Sequence, residues 1–563
     1  MNHTQDCNCG CDNRRFLNGC AATIHRYAAL AMVAVLVRQA LAILIATPLL
    51  LAGCSSETAP TTAPESPTAT TDTSQPSAVP DSAPAVVKPS TPAEHKPTPP
   101  AQHAANRPQA AGVKDVSLPT RQPQTVPPTK WRLPDDRPNI NEARLQAAGI
   151  KVYRSKRLIL LTDVADEIVA EIPAYADALY ERLESHFGAL PAATDNSEFQ
   201  VTGHLIADET RFQAAGLMPQ NGFTFKHGRH LNYQFWFYDS EFPYYRRHLL
   251  FHEFTHCFMT CESGMLNIPA LWYIEGMAEF FATHKIRESN RIEFGILPEQ
   301  FEGFDGWGRI SEIRRSFQQR SVPPVDASDQ LSIPILADVM PNQIINFQQD
   351  SQYVTSWALC WLLNAHPQYR QLSSPLKSMR TRAEFGAVAE RLRDENQPQL
   401  GIDWLLTYES LLEGFDVDRS FPIHRSPAYS LNEIDAETPK TLTLQADRGW
   451  QDTGLRLSPG ESVRITCSGR YSVNDDPKPW ISEPQGVSIE YVRGLPLGQV
   501  VATLVADDAS SMTNRIPVGR QAVVTAGNAC SLWLQVNDLS NSRQNNAGTI
   551  DVSLSIPQQG LRP

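Results

Sequence analysis

The sequence predicts three parts in order: a disordered proline-rich linker, an α+β domain and an all-β sandwich. Three observations lead there. Sixteen of the 43 prolines fall between Ser55 and Lys130, a stretch with no Phe, Trp or Tyr. Such a composition cannot bury enough apolar surface to offset its chain entropy. From Lys151 onward, strand-like apolar runs alternate with helix-period segments, and after Asp435 only short β-type runs separated by Gly, Asn, Asp and Pro remain. A chain of 563 residues has room for about three domains. The predicted boundaries are a signal peptide over 1–53, a Pro/Ser/Thr/Ala-rich tether over 54–130, an α+β domain over 131–430 and a β-sandwich over 437–557.

The first 54 residues read as an export signal. Residues Tyr27 to Gly53 are mostly apolar, broken by Arg38 and Pro48, and the run after Arg38 ends in small residues before Cys54. A basic residue, an apolar stretch and a small-residue cleavage site make a secretory signal. The closing Leu51-Ala52-Gly53-Cys54 resembles a bacterial lipoprotein lipobox. That resemblance implies cleavage before Cys54, lipidation of its thiol and a lipid anchor in a membrane of the bacterial cell envelope, facing the periplasm or the cell surface. The alternatives are an uncleaved membrane anchor and a signal whose Cys54 is incidental. Beyond Cys54 the cysteines are Cys257, Cys261, Cys360, Cys467 and Cys530, with no C-x-x-C pair, so neither a disulfide scaffold nor a zinc knuckle is expected. Cys467 and Cys530 are free to pair or not. A net charge of −12 without basic runs argues against nucleic acid as a partner.

Within the folded part, KRLILLTDV reads as a buried strand and ADEIVAEIPAYADALYERLESHFG as a helix opened by acids. FQVTGHLIAD reads as a second strand, ETRFQAAGL as a short helix, and HLNYQFWFYD as one strand at a sheet edge. Two helices follow closely, YYRRHLLFHEFTHCFMT and ALWYIEGMAEFFATH, and residues 310–425 are mainly helical. TLTLQ, SVRITCSG, VVATLVA, SLWLQV and TIDVSLSI are the strands of the last module.

The chemistry concentrates in His252-Glu253-Phe254-Thr255-His256, an H-E-x-x-H motif on a helix. Residues i and i+4 share a face, so both imidazoles can reach one metal ion, and Glu253 is placed to hold a water on its open position. Burying these groups among Leu249, Leu250, Phe251, Phe254 and Phe258 without partners would be costly. A catalytic zinc needs a third ligand, and eighteen residues separate His256 from Glu275 in Trp272-Tyr273-Ile274-Glu275-Gly276-Met277-Ala278-Glu279. This arrangement resembles the gluzincin metallopeptidases, and W-x-x-E-G-x-A-E-F more closely resembles the peptidase MA-like families of uncharacterised bacterial proteins. The resemblance covers about 150–425 and implies a zincin-like fold. It implies that His252, His256 and Glu275 bind zinc, that Glu253 is the general base and that Glu279 orients a ligand imidazole. It also implies that Tyr353, in Ser351-Gln352-Tyr353-Val354-Thr355-Ser356-Trp357, donates to the oxyanion. The aminopeptidase G-x-M-E-N motif is absent, so exopeptidase specificity is not implied. Cys257 and Cys261 read as small core residues.

In the last module, Asp538 to Gly548 offers many oxygens between two strands. Calcium takes six to eight such ligands, but the same residue types build ordinary turns. The order N-D-x-x-x-x-x-x-N-N-x-G resembles the calcium loop of the galactose-binding PA-IL bacterial lectins. By that resemblance Asp538, Asn545 and Asn546 bind calcium through side chains, and Ser542 and Val473 through their carbonyls. Glu483 and Gln485, in Glu483-Pro484-Gln485-Gly486, fall on the sugar-side loop. The family's sugar-contacting His has no counterpart. The expected function is a membrane-anchored zinc metallopeptidase that cleaves a protein or peptide substrate by Glu-assisted attack of a zinc-bound water, targeted by a calcium-dependent carbohydrate-binding domain. The alternative is a non-catalytic surface lipoprotein for glycan binding or adhesion, with a structural or vestigial metal site; an intact Glu253 argues against it.

Overall fold

Strand Leu158–Thr162 is buried at every position, because both faces of its sheet are covered. In a computed structural model of the chain, described over residues 131–557 except 220–224, 263–267, 289–290, 305–307, 319–329, 342–349, 380 and 435–436, this strand belongs to a five-stranded sheet. The strands are β1 Lys151–Arg154, β2 Leu158–Thr162, β3 Val201–Ile206, β4 Gly228–Leu231 and β5 Gln234–Tyr238, in the order β1-β2-β3-β5-β4. β2, β3 and β5 run parallel, and β1 and β4 close the edges antiparallel. The signal segment 1–53, Cys54 and the tether 54–130 lie outside the described residues.

The expected single edge strand at HLNYQFWFYD is instead a hairpin. Leu231 pairs with Gln234 around a two-residue turn at Asn232 and Tyr233, and Asn232 adopts a left-handed φ of 48°. Asn tolerates that conformation without the Gly that usually signals such a turn. β4 is therefore the edge, and β5 sits inside the sheet.

Leu158 and Leu160 face α1 (Ile172–Phe187) and α2 (Pro243–Thr260), while Ile159 and Leu161 face Phe212 and Leu145 on the other side. α2 is buried on all sides from His248 to Thr260, wrapped by the sheet and by α3 (Leu271–Ala282). α3 in turn packs along α5 (Asp350–Ala365), preceded by α4 (Arg309–Gln318) and followed by α6 (Pro367–Leu372) and α7 (Gln399–Ser410). The contact of α3 and α5 is close at Gly276, where a Cβ would lie 2.5 Å from the Ser356 carbonyl oxygen.

The C-terminal region is mostly β. One sheet, in the order β6-β12-β8-β10, comprises β6 Lys440–Gln445, β8 Ser462–Ser468, β10 Gln521–Thr525 and β12 Thr549–Ser555. The other is centred on β9 Val500–Ala506, β11 Cys530–Val536 and β7 Gln451–Leu457. β6 and β12 alternate in burial, as strands with one wet face do, whereas β9 and β11 are buried throughout. Val500, Ala502 and Leu504 face the sandwich interior, and Val501, Val505 and Trp533 join the core of the helical region. This second sheet also takes strand Gln330–Leu331 from the helical region through Met512–Thr513, and Tyr429–Ser430 in parallel with β7. Cys467 and Cys530 are both buried free thiols and do not pair.

The join between the regions carries a buried ion cluster. Glu409, at the end of α7, accepts from Arg515 at 3.0 and 3.2 Å, pairs with Arg493 and lies 3.3 Å from the Trp450 indole nitrogen. Burial alone would raise the Glu409 pKa, but the two guanidinium groups outweigh it and hold it at about 2. Glu409→Ala leaves buried arginine charge uncompensated and should cost roughly 3–5 kcal/mol. Because the folded pKa lies below the usual 4.5, the stability this group supplies is present above that value and is lost as pH falls toward 2. Melting temperature against pH checks both points: Glu409→Gln should lack this acid-sensitive component.

Candidate metal centre

One turn of α2 separates His252 from His256, so both imidazoles project from the same face. Glu275 reaches them from α3. His252 Nε2 and His256 Nε2 lie 2.9 Å apart, and Glu275 Oε2 lies 3.3 Å from the first and 3.2 Å from the second. Ligands ~2.0–2.1 Å from a tetrahedral zinc stand about 3.3 Å from one another. The triangle is thus close to the size that the ion requires. Two carboxylates and the two rings crowd one another strongly. Burial disfavours charge on His252, but its contacts with Glu275 and Glu279 raise it to about 10. Burial would also raise Glu275, yet the two histidines hold it far below the usual carboxylate range.

Glu279 lies one turn beyond Glu275, with Oε1 3.3 Å from His252 Nδ1. The side chain is fixed from behind by Arg309 at the start of α4, at 2.6 and 2.8 Å, and by His248 Nε2 at 3.1 Å. This chain of contacts sets which His252 nitrogen faces the metal position. His248, His252 and Glu279 also come close enough to form a metal group of their own. The Arg309 fork already neutralises Glu279, so a cation there would meet a guanidinium charge.

Glu253 is buried beside the triangle, and its Oε2 has no hydrogen-bond partner. Two residues near it were not singled out from the sequence. A Cβ at Gly228 of β4 would come within 2.5 Å of Glu253 Oε1, so a larger residue there would displace the Glu253 carboxylate. His230, also on β4, stacks on His256 with ring centroids 4.5 Å apart and places Nδ1 3.7 Å from Glu253 Oε2. His256 Nδ1 makes no hydrogen bond, so on that side the ring is held by this stacking. His230 stands 22 positions before His252, and no spacing rule connects them. The alternation of the hairpin strand would have offered only a weak signal, a histidine at a sheet edge.

Tyr353, on the first turns of α5, has its ring 6.4 Å from that of His252 and under the Arg309 guanidinium at 5.6 Å. Burial, then the charges of Glu275, Glu279 and Glu253, push its phenol well above the usual value. It is a protonated donor at neutral pH. Cys257 and Cys261 are buried in the core cluster, as expected from the sequence.

The structure also gathers the oxygen-rich loop. Asn546 Nδ2 donates to Asp538 Oδ2 at 2.9 Å, and an antiparallel bridge between Ser472 and Ala547 lays the Val473 segment alongside. The Oδ1 atoms of Asn545 and Asn546 are buried without hydrogen-bond partners, while Ser542 lies in the same turn with its carbonyl accepting from Asn545 N. Burial raises the Asp538 pKa against the neighbouring Arg543 charge. Ser540 and Asn541, at the loop's tip, dock on the helical region: Ser540 Oγ donates to the Ser410 carbonyl at 2.7 Å and Asn541 Nδ2 to that of Glu413 at 2.8 Å. Glu483 and Gln485 come together around Arg520, which pairs with the first and donates to the second at 2.9 Å.

The triangle should bind one divalent metal ion per chain, identified and counted by elemental mass spectrometry after gel filtration. His256→Ala should abolish that stoichiometry. Glu279→Ala should retain the site but weaken zinc by ~10–100-fold against a competing chelator.

No family model matches the chain, and no curated protein matches it. Among solved structures, the chain is similar to the EclA N-terminal domain, a PllA-like lectin, at 19% identity over 22% of this chain and 99% of that chain, with a TM-score of 0.18. At that score the likeness carries no argument, and the two sites rest on their own residues.

Proposed function

We propose that the chain is a zinc metallopeptidase of the gluzincin type, built on a zincin-like fold. One observation carries this reading: a metal-sized triangle of His252, His256 and Glu275 with a buried carboxylate, Glu253, on the same helix, whose Oε2 makes no hydrogen bond. A purely structural metal site has no use for that carboxylate. Zinc in the triangle would supply a Lewis acid and a water of lowered pKa. Glu253 accepts the proton of the attacking water and passes it to the leaving amine. Tyr353 donates its hydroxyl proton as a hydrogen bond to the developing oxyanion. Glu279 and Arg309 keep His252 in register, and His230 keeps His256. β4 ends the sheet beside Glu253, and its outer edge suits an extended peptide that adds as a further strand.

In this reading residues 1–53 are an export signal, Cys54 carries a lipid anchor in the bacterial cell envelope, and the 54–130 segment is a spacer. In the same reading the 538–546 loop binds calcium. The buried, unpartnered amide oxygens of Asn545 and Asn546 beside Asp538 support it, since a hard cation would give them a partner. The sandwich then serves carbohydrate binding near Glu483 and Gln485.

Glu253→Gln should lower hydrolysis of a casein or peptide library by ~10²–10⁴-fold while zinc content stays at one per chain. Tyr353→Phe should lower kcat by about 10²-fold with little change in KM. Full zinc loading with no hydrolysis across broad substrates would sink the peptidase reading. Separately, calcium should raise retention of the chain on galactose or mixed-glycan beads, and Asp538→Ala should remove that dependence. Retention indifferent to both would refute the calcium assignment.

A further inference from the structure

A cavity of about 360 Å³ opens between α1, α3, α5, α6 and the 3-10 turn Ser374–Ser378. No residue of the metal centre lines it. Arg182 from α1, Arg370 from α6 and Lys377 from the turn converge on it, with Ser185, His186 and Asn364 as polar neighbours. No aspartate or glutamate lines it among the described residues.

Three cations from three separate elements repel one another in one partly buried space. Burial lowers the Arg182 pKa, and burial followed by the Arg182 and Arg370 charges lowers that of Lys377. Arg182 has no salt bridge among the described residues; its guanidinium lies 5.5 Å over the Phe281 ring. The nearby Glu184 is turned to the Tyr180 hydroxyl at 3.1 Å. Arg370 donates Nε and Nη2 to the carbonyls of Asn364 and Ala365 at the end of α5, at 2.9 and 3.0 Å. These bonds hold the guanidinium at the cavity wall. An anion that binds in the cavity offsets the repulsion among the three cations.

We propose that this cavity binds a phosphate-type oxyanion, carried by a small phosphate ester or by a lipid headgroup. The chemistry selects this class. Arginine forks match the oxygens of a tetrahedral oxyanion in pairs, and lysine adds a point charge. A carboxylate offers one charge and two oxygens, too few for three cations that approach from different sides. The volume lies in the range of about 300–1,000 Å³ typical of small-molecule sites, so the phosphate arrives with a substituent attached.

The test uses the purified full chain, Arg182→Gln and Lys377→Gln. Calorimetric titration with inorganic phosphate and with glycerol 3-phosphate probes the free ester; co-sedimentation with phosphatidic acid vesicles, against phosphatidylcholine vesicles, probes the headgroup. Saturable binding in either arm, weakened about tenfold or more in each variant, supports the proposal, and the arm that responds identifies the source. No binding in both arms overturns it, as does binding that the variants leave unchanged. Melting temperature without phosphate is the second readout. Each variant relieves like-charge repulsion and should melt at or above the unmodified chain. A clear fall would make these cations structural and overturn the assignment.

Discussion

The close approach of α3 and α5 at Gly276 is the constraint on which the candidate site depends. With the Ser356 carbonyl 2.5 Å from where a Cβ would stand, any larger residue pushes the two helices apart. Glu275 precedes that glycine and Glu279 follows it by three positions, so the same contact that seats α3 sets both carboxylates against α2. Tyr353 lies one turn before Ser356 on the opposite helix and is brought to the same place. A metal triangle tolerates little displacement, because ligand atoms must fall within a few tenths of an ångström of their positions. Tight helix packing with a glycine at the crossing meets that demand; a loop-borne ligand would not.

The two ligand histidines are held by different physics. His252 is held by charge, through Glu279 and the Arg309 fork behind it. His256 is held by shape, pressed against the His230 ring with Nδ1 unbonded. Without metal, the centre is a dense set of buried acids and bases whose protons must be shared. An ion that replaced those protons would remove the conflict, and its affinity would then be coupled to pH and to folding.

The C-terminal region is not an appendage joined by a linker. β9 and β11 bury both faces, one in the sandwich and one in the helical core, and the sheet accepts short strands from the helical region at both sides. Glu409 with Arg493 and Arg515 then fills the polar part of the same join. The oxygen-rich loop is part of it as well, since Ser540 and Asn541 bond to the backbone after α7. The loop is therefore anchored to the helical region at two points.

The sequence by itself determined the succession from α+β to all-β, the H-E-x-x-H helix and the Glu275 helix after it. These are local: periodicity, turn residues and i, i+4 geometry act within a few residues. It also located His252, Glu253, His256, Glu275, Glu279 and Tyr353, the last through resemblance alone. The hairpin was read as one strand because Asn232 supplies a left-handed turn without glycine. β7 and β10 were missed because QDTGLRL and QAVVT carry weaker β signals than their neighbours. His230, Gly228 and Arg309 became visible only when the sheet edge and α4 closed on α2, and the cationic cavity only when four helices and a turn met. Such groups come from distant parts of the chain, and their distances are set by packing, which no local spacing encodes.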